Sequence, residues 1–155
     1  MSEDVTIRPI GLVRGGRADP TDDDWGAVEA VIEIDDTQFG AEAVQGLEEF
    51  SHLEVLFVFD RADPAAVVHG ARHPRGRADW PEVGIFAQRG KDRPNHLGLS
   101  RCLLVAVDGL NLRVRGLDAI DGTPVLDVKP WMAEFGPLGT ARQPSWATEL
   151  MAAYW

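Results

Sequence analysis

The chain has 155 residues, 45% of them hydrophobic and 26% charged, values ordinary for one soluble globular domain with its own core. No apolar run reaches membrane-spanning length, the N-terminus is acidic where a secretory signal would be basic, and the single Cys102 excludes an internal disulfide, so we expect a cytoplasmic protein. The net charge of −10 opposes nucleic-acid binding unless basic residues gather locally, because contacts to phosphates supply most of the affinity of such proteins.

The N-terminal half predicts three strands and one short helix. Residues 6–13 are apolar enough for a first strand, and the acidic loop that follows lacks the glycine-rich turn of doubly wound nucleotide-binding folds. Residues 27–34 alternate between apolar and polar, as a half-buried strand does. Residues 40–50 have apolar side chains at helical spacing, and residues 53–59 form a nearly continuous apolar run typical of a central strand.

Residues 60–81 predict a long loop, and a loop of this length in a small domain is usually functional or mobile. His69 and His73 are four residues apart and could share a helix face as metal ligands. Pro74 follows directly and no third ligand stands nearby, so we predict no metal site. The basic residues here and in the next segment form a local cluster: Arg72, His73, Arg75, Arg77, Arg89, Lys91 and Arg93.

Residues 84–100 read GIFAQRGKDRPNHLGLS and predict a rigid polar loop between two apolar strands. Residues 83–87 suit a short buried strand, whereas the cationic run 89–96 fits no regular element. Pro94 fixes its own φ and pushes Arg93 out of the helical region. This layout is typical of a ligand-binding loop on a stiff scaffold.

The C-terminal half predicts a hairpin and a last strand. Residues 97–107 and 110–115 flank Asp108-Gly109, a signal for a type I′ turn, and residues 123–128 follow as a strand. We therefore predict a mainly β protein, a single-domain antiparallel β-barrel of six or seven strands with a few short helices. The single domain covers residues 1–155, with the barrel over about residues 5–131.

Residues 132–155 are predicted to form a tail beyond the barrel. Residues 137–144 resemble a linker, and Ser145 is expected to cap a terminal helix. Trp146, Leu150 and Trp155 would share one apolar stripe of that helix.

Two blocks of sequence resemble the TrmO family, also called TsaA-like or YaeB-like. The first is Gly-Ile-Phe-Ala-x-Arg from residue 84, continued by Arg-Pro-Asn at 93–95 and Gly-Leu-Ser at 98–100. The second is LDAIDGTPVLDVKP at residues 117–130, which is similar to the family's DGTPVLDIKP run. Weaker similarities at residues 9–11 and 50–53 extend the resemblance over residues 7–131.

The resemblance implies a methyltransferase on a β-barrel that uses S-adenosylmethionine (SAM). Known members of the family methylate the exocyclic nitrogen of a threonylcarbamoyl-adenosine beside the tRNA anticodon, and their SAM sites lie near a homodimer interface. The implied cofactor-binding residues belong to the two blocks: Phe86, Arg89, Arg93, Asn95, His96, Leu97, Asp121, Gly122, Thr123 and Leu126. Of these, a cationic arginine suits the methionine carboxylate, and Asn95 suits the adenine edge or the ribose.

Methyl transfer from a sulfonium is an in-line displacement, so positioning and a mild base are sufficient. Asp127 and Lys129 share one strand face and form either a structural ion pair or part of the methyl-transfer site. His52, at the entrance of a core strand, is either a buried structural histidine or an acid–base group. Asp121-Gly122 is either a plain turn or part of the cofactor site.

Several functional alternatives stay open on the sequence. The methyl acceptor is a modified tRNA adenosine, as the resemblance implies, or a small molecule, as the acidic charge and the altered loop favour. In that loop Gly90-Lys91 stands where the family has Ser-Pro, and His96 stands where it has proline. A SAM- or nucleotide-binding barrel without turnover is one alternative, and an interaction module that docks through the terminal helix is another.

Overall fold

A closed antiparallel barrel forms the centre of the computed structural model, which describes residues 3–155. The strands are β1 (Gly11–Arg14), β2 (Glu29–Ile34), β3 (His52–Val58), β4 (Ala71–Arg72), β5 (Val83–Gly84), β6 (Leu97–Asp108), β7 (Asn111–Arg115) and β8 (Pro124–Pro130). Six of them close the barrel in the order β1-β2-β7-β6-β3-β8, while β4 and β5 form a separate pair. The prediction of a mainly β antiparallel barrel is confirmed.

The remaining regular structure is short. The 3₁₀ turns are Ala41–Val44, Leu47–Glu49, Pro64–Ala66, Pro74–Gly76, Ile85–Ala87, Pro94–His96 and Ala133–Phe135, and helix α1 is Ser145–Leu150. Among the described residues, none of the helices has the length and apolar content that crossing a bilayer would need.

Strand β3 shows how the sequence fills the barrel. Leu53, Val55 and Phe57 are buried, while the residues between them are half-buried on the outer face. Phe57 packs edge-on against Phe59, with ring centroids 5.3 Å apart. Its partner on β6 is Gly98, where an added Cβ would lie 2.3 Å from the Phe57 ring. A glycine is therefore needed opposite this ring.

The predicted helix over residues 40–50 is wrong. The segment forms the two 3₁₀ turns Ala41–Val44 and Leu47–Glu49, separated by Gly46 in the left-handed region (φ +85°). Val44 and Leu47, two of the apolar residues that give the helical spacing, still pack against the core. The left-handed glycine interrupts the helical path that this spacing would otherwise support.

Three other elements differ from their predicted bounds. The first strand begins only at Gly11, and residues 5–9 are exposed. The predicted strand at 83–87 pairs over just Val83–Gly84 before a 3₁₀ turn begins at Ile85. In the β6–β7 hairpin Asp108 pairs with Asn111, so the turn residues are 109 and 110. Only the first of these has a positive φ, which fits a type II′ turn rather than the predicted type I′.

The C-terminal tail packs back onto its own barrel. The backbone N–H groups of Asp24 and Trp25 donate to the carbonyls of Ala153 (2.9 Å) and Tyr154 (2.8 Å). The predicted cap at Ser145 is wrong, because Ser145 is the first helical residue and follows Pro144 at the N-cap. Since the tail is docked in this way, the interaction-module alternative loses its structural motive.

Tyr154 fixes the tail by donating its hydroxyl proton to Asp118, which also accepts from Ser100. Burial, followed by the charge of Asp118, raises the pKa of Tyr154 above its ordinary value of 10.0. The protonated hydroxyl therefore contributes stability that is complete below pH 10 and is lost as the pH rises further.

We expect tyrosinate to form in the native protein only well above pH 10. Tyr154 is the single tyrosine of the chain, so the absorbance of tyrosinate reports on it alone. Asp118→Asn should lower the midpoint, because it removes the neighbouring negative charge. An ordinary tyrosine titration in protein with a native circular dichroism spectrum would contradict the docked tail.

Candidate functional site

The two sequence blocks lie on either side of the C-terminal end of β3. Leu97, from the first block, pairs with Val58, and Val125, from the second, pairs with Phe57. The loop joins the same end, because Phe59 donates its N–H to the carbonyl of His96 at 2.8 Å. Neighbouring strands lie about 4.8 Å apart, so the two blocks are separated by roughly 10 Å across β3.

The site residues of the strands share the outer face of the barrel. Leu56 points outward between the buried residues of β3, and it pairs with Leu99 on one side and Asp127 on the other. Strand β8 bulges at Leu126, because Leu56 pairs with Asp127 and Phe57 with Val125. Bulges re-aim side chains and are common next to functional sites.

The loop before β6 is conformationally strained. Asn95 (φ +65°) and His96 (φ +50°) both adopt the left-handed region, which non-glycine residues rarely use. Nε2 of His96 is buried and, within residues 3–155, has no hydrogen-bond partner. Such strain is common at binding sites, and neither feature follows from the loop sequence.

The arginines of the first block are held by backbone carbonyls. Arg93 donates to the carbonyl of Gln88 at 2.6 Å, and Arg89 donates to the carbonyl of Leu99. Phe86, in contrast, is 78% exposed at the start of this segment. Residues 86–93 therefore carry one exposed aromatic ring and two guanidinium groups. Both guanidinium groups are hydrogen-bonded to backbone carbonyls.

Gln88 is a residue of this region that the sequence interpretation missed. It is 8% exposed, and its amide nitrogen donates to the carbonyls of Arg72 (3.1 Å) and Val83 (2.9 Å). Its one sequence signal is its place directly after the apolar residues 85–87.

In the second block, Asp121 and Gly122 form a turn that ties β8 to β1. The Asp121 carboxylate accepts from the N–H of Gly15 at 2.9 Å, and the N–H of Gly122 donates to the carbonyl of Val13 at 2.7 Å. Gly122 has a φ of +86°, which explains the glycine. Thr123 is buried directly after the turn. The turn interpretation is confirmed, and a cofactor role for the same residues stays a prediction.

Asp127 and Lys129 form the ion pair that the sequence suggested, with Oδ2 and Nζ 3.0 Å apart. The other carboxylate oxygen of Asp127 accepts from the N–H of Val128 at 2.9 Å. His52 lies elsewhere, with its Nδ1 2.7 Å from the Ser51 hydroxyl. It is four residues from the strand partner of Asp127, a distance of about 13 Å along β3. It is two residues from Glu54, the strand partner of Lys129, and its catalytic role stays a prediction.

The cationic cluster is largely neutralised within the chain. Its ion pairs are Arg72–Asp92 (3.1 Å), Lys91–Asp92 (3.0 Å), Arg75–Asp23 (3.0 Å) and Arg77–Asp79 (2.5 Å), and His73 lies 4.0 Å from Glu82. Arg89 and Arg93 instead donate to backbone carbonyls. Because five of the seven basic residues face a carboxylate, the cluster offers less positive charge to a phosphate backbone than its sequence suggests. Among the described residues there is also no group of three or more His, Cys, Asp or Glu that could hold a metal ion.

A cleft of about 550 Å³ opens at the opposite end of the barrel, between the 3₁₀ turns of residues 41–49 and β8. Its walls include Phe39, Leu47, Phe50 and Val128, and Asp127 borders it. The predicted cofactor-binding residues, all within the described part of the chain, do not line this cleft. The cleft and the loop therefore have different linings, and Asp127 is the predicted site residue that borders the cleft.

The protein is a small β-barrel protein. Its barrel has six strands, and the strained loop and the bulged strand β8 lie beside β3. The family described as the tRNA-methyltransferase O N-terminal domain matches residues 20–136 of this chain. The chain therefore belongs to the TrmO family, as its two sequence blocks predict.

Relatives and solved structures agree with this assignment. A probable S-adenosyl-L-methionine-binding protein of Methanothermobacter thermautotrophicus is 38% identical over 141 residues, which cover 88% of this chain and 96% of the relative. The tRNA (adenine(37)-N6)-methyltransferase of Escherichia coli is 43% identical over 98 residues, covering 59% of this chain and 40% of the relative. The crystal structure of TrmO from Pseudomonas aeruginosa matches with a TM-score of 0.72 at 28% identity, over 90% of this chain and 62% of that one. The chain thus spans less than two thirds of the crystallised TrmO.

Proposed function

We propose that this protein is a SAM-dependent methyltransferase whose cofactor binds on the outer face beside β3. The observation that carries the proposal is the register of β3, which pairs Val58 with Leu97 and Phe57 with Val125. Leu97 follows the Arg93–Asn95 loop and Val125 follows the Asp121–Thr123 turn, so this register supports a shared site at one end of β3. The names of the archaeal and bacterial relatives support the cofactor and the reaction.

The side chains at this place suit the chemistry of the cofactor. A guanidinium has five N–H donors, so the single bond from Arg93 to a carbonyl leaves others for the methionine carboxylate. The exposed ring of Phe86 offers a stacking surface for adenine, and the exposed Asn95 offers a carboxamide. The carboxylates of Asp121 and Asp127 suit the positive charge of a sulfonium.

When bound, SAM supplies a methyl group on an already activated leaving group. The chain's own residues then have to align the acceptor and to receive a proton from the methylated nitrogen. We assign the proton to Asp127, whose carboxylate is oriented by Lys129 and by the N–H of Val128. We do not assign this step to His52, because it lies four residues along β3 from Leu56, the strand partner of Asp127.

The acceptor proposed first is an adenosine of tRNA, because relatives in this family are named tRNA (adenine(37)-N6)-methyltransferases. A small-molecule acceptor is the second candidate. It is favoured by the net charge of −10 and by the ion pairs that neutralise the cationic cluster. The two acceptors differ in the phosphate contacts that each would need.

We further propose that two copies associate through the same outer face. Leu97 and Leu99 are 37% and 46% exposed on β6, and Phe86, also in the first block, is 78% exposed. Exposed apolar side chains grouped in this way are typical of association surfaces. Light scattering on the purified protein tests the dimer.

The buried free thiol of Cys102 is consistent with a cytoplasmic location.

The first test is calorimetric titration with S-adenosylhomocysteine, which binds as SAM does but transfers nothing. We expect saturable binding, and a flat titration at millimolar ligand would refute the proposal. The second test supplies labelled SAM together with tRNA from a strain that lacks the family enzyme, or with a small-molecule extract. Label in tRNA supports the first acceptor and label in the extract supports the second. Binding without any transfer would instead identify a non-catalytic cofactor-binding barrel.

A further inference from the structure

The side chain of Arg72 reaches from the β4–β5 pair to both ends of the loop segment 88–92. Its Nη1 lies 3.1 Å from Oδ2 of Asp92, and its Nε donates to the side-chain oxygen of Gln88 at 3.4 Å. Arg72 and Asp92 are both shielded from solvent, with side chains 30% and 16% exposed. The pair is therefore better protected from screening than the exposed ion pairs elsewhere on the surface.

The same segment is attached to the β4–β5 pair through Gln88, and its backbone is attached to Val68, which precedes that pair. Besides its two bonds to main-chain carbonyls of this pair, Gln88 offers its own carbonyl to Arg93. At the other end, the carbonyl of Asp92 accepts from the N–H of Val68 at 3.0 Å. Arg72 thus closes a network that runs directly into the Arg93–Asn95 loop.

Gly90 lies under the guanidinium of Arg72. An added Cβ at Gly90 would lie 2.5 Å from Nη2 of Arg72, so the arginine occupies the space that any other side chain would need. Gly90 does not have a positive φ. A larger residue at position 90 would therefore require the mobile end of the Arg72 side chain to shift.

We propose that Arg72 is a positioning residue that holds residues 88–93 in the conformation that presents Arg93 and Asn95 to the cofactor. This inference rests on the proposed function and deepens it by adding a residue that lies outside both sequence blocks. Arg72 contacts the loop segment through Gln88 and Asp92. A loop held in its binding conformation loses less conformational entropy when the ligand arrives. Arg72 would therefore act on cofactor affinity without contacting the cofactor.

Asp92 is the anionic anchor of this network. Burial raises the pKa of Asp92, but the bonds from Lys91 and Arg72 outweigh it, so the net pKa lies below the ordinary value of 3.8. The carboxylate is therefore ionised at neutral pH. The stability that it contributes is complete above pH 3.8 and is lost as the pH falls through the lower folded-state pKa.

The first experiment compares Arg72→Gln with Arg77→Gln. Arg77 belongs to the same connection between β3 and β6, but it pairs with the exposed Asp79 and stacks on Trp80, 3.9 Å from the ring centroid. We measure S-adenosylhomocysteine affinity by calorimetry, at a temperature where both variants are fully folded, and amide hydrogen exchange over residues 88–96 without ligand. Arg72→Gln should weaken binding about tenfold, because the charge-assisted hydrogen bond to Asp92 that holds the loop is lost. It should also speed amide exchange in the loop. Arg77→Gln should change neither.

The second experiment reaches the same contact from Gly90. Gly90→Ala should displace the guanidinium of Arg72 and weaken binding in the wild-type background. In the Arg72→Gln background the same alanine should have little further effect, because the group that it would displace is gone. A purely structural role for Arg72 would lower the melting temperature but leave affinity unchanged in folded protein.

The inference is overturned if Arg72→Gln leaves both affinity and loop exchange at the wild-type level, or if Gly90→Ala has equal effects in the two backgrounds. If the wild-type protein does not bind S-adenosylhomocysteine, the proposed function fails. The positioning role is then decided by loop exchange alone, in which Arg72→Gln must still show faster exchange than Arg77→Gln.

Discussion

Phe57→Ala is expected to lower the free energy of unfolding by about 3–5 kcal/mol, a large part of the roughly 5–15 kcal/mol that stabilises a domain of this kind. Phe57 is 1% exposed and packs against both Phe59 and the α-carbon of Gly98. Truncation removes the ring from the barrel interior at the end where the site lies. Urea unfolding followed by tryptophan fluorescence measures the change.

Leu103→Ala is the matched control on the outer face. Leu103 is 41% exposed on the neighbouring strand β6, so its truncation should change stability by about 0.5 kcal/mol or less. Equal losses in the two variants would mean that the inward and outward faces of the barrel have been assigned wrongly.

Gly98→Ala tests the same contact by overpacking. The added methyl group meets the Phe57 ring, so we expect a loss of about 1–3 kcal/mol in the wild-type background. In the Phe57→Ala background the methyl group enters the vacated space, and the loss should become smaller. This non-additivity is the signature of direct contact between the two positions.

The barrel was predictable because its main strands carry their burial pattern locally. Leu53, Val55 and Phe57 alternate with outward residues, and this period of two is independent of the rest of the chain. The segment 40–50 failed because apolar spacing does not distinguish an α-helix from two 3₁₀ turns around Gly46. Strand β4 and its pairing with β5 were missed because a two-residue strand has no period to detect.

Only the contacts between residues close together in sequence could be predicted at the site. The Asp127–Lys129 ion pair follows from two residues on one strand face. Arg72 and Gln88 are sixteen residues apart, and their contact depends on how the β4–β5 connection folds. The cationic cluster was visible in the sequence, but the carboxylates that pair with it were not. Arg75, for example, pairs with Asp23, which is 52 residues away.

Asp127→Asn is expected to reduce kcat by about 10²–10⁴-fold while leaving the affinity for S-adenosylhomocysteine close to the wild-type value. The reason is that an amide keeps the shape of the side chain but cannot take the proton from the methylated nitrogen. A methyl-transfer assay with whichever acceptor takes up label from SAM gives kcat, and calorimetry gives the affinity.

Two variants on the same outer face separate this role from that of a structural ion pair. Lys129→Gln removes the partner of Asp127 but leaves the carboxylate, and Glu54→Gln removes a neighbouring carboxylate that pairs with Arg101 at 3.2 Å. If Asp127 only stabilises β8, Asp127→Asn and Lys129→Gln should both leave kcat near the wild-type value. Each should lower the free energy of unfolding by the same small amount, because surface ion pairs contribute about 0–1 kcal/mol. If Asp127 receives the proton, Asp127→Asn should reduce kcat far more than Lys129→Gln, and Glu54→Gln should leave it unchanged. Activity within a few-fold of wild type in Asp127→Asn would require another residue of this face, or solvent, to accept the proton.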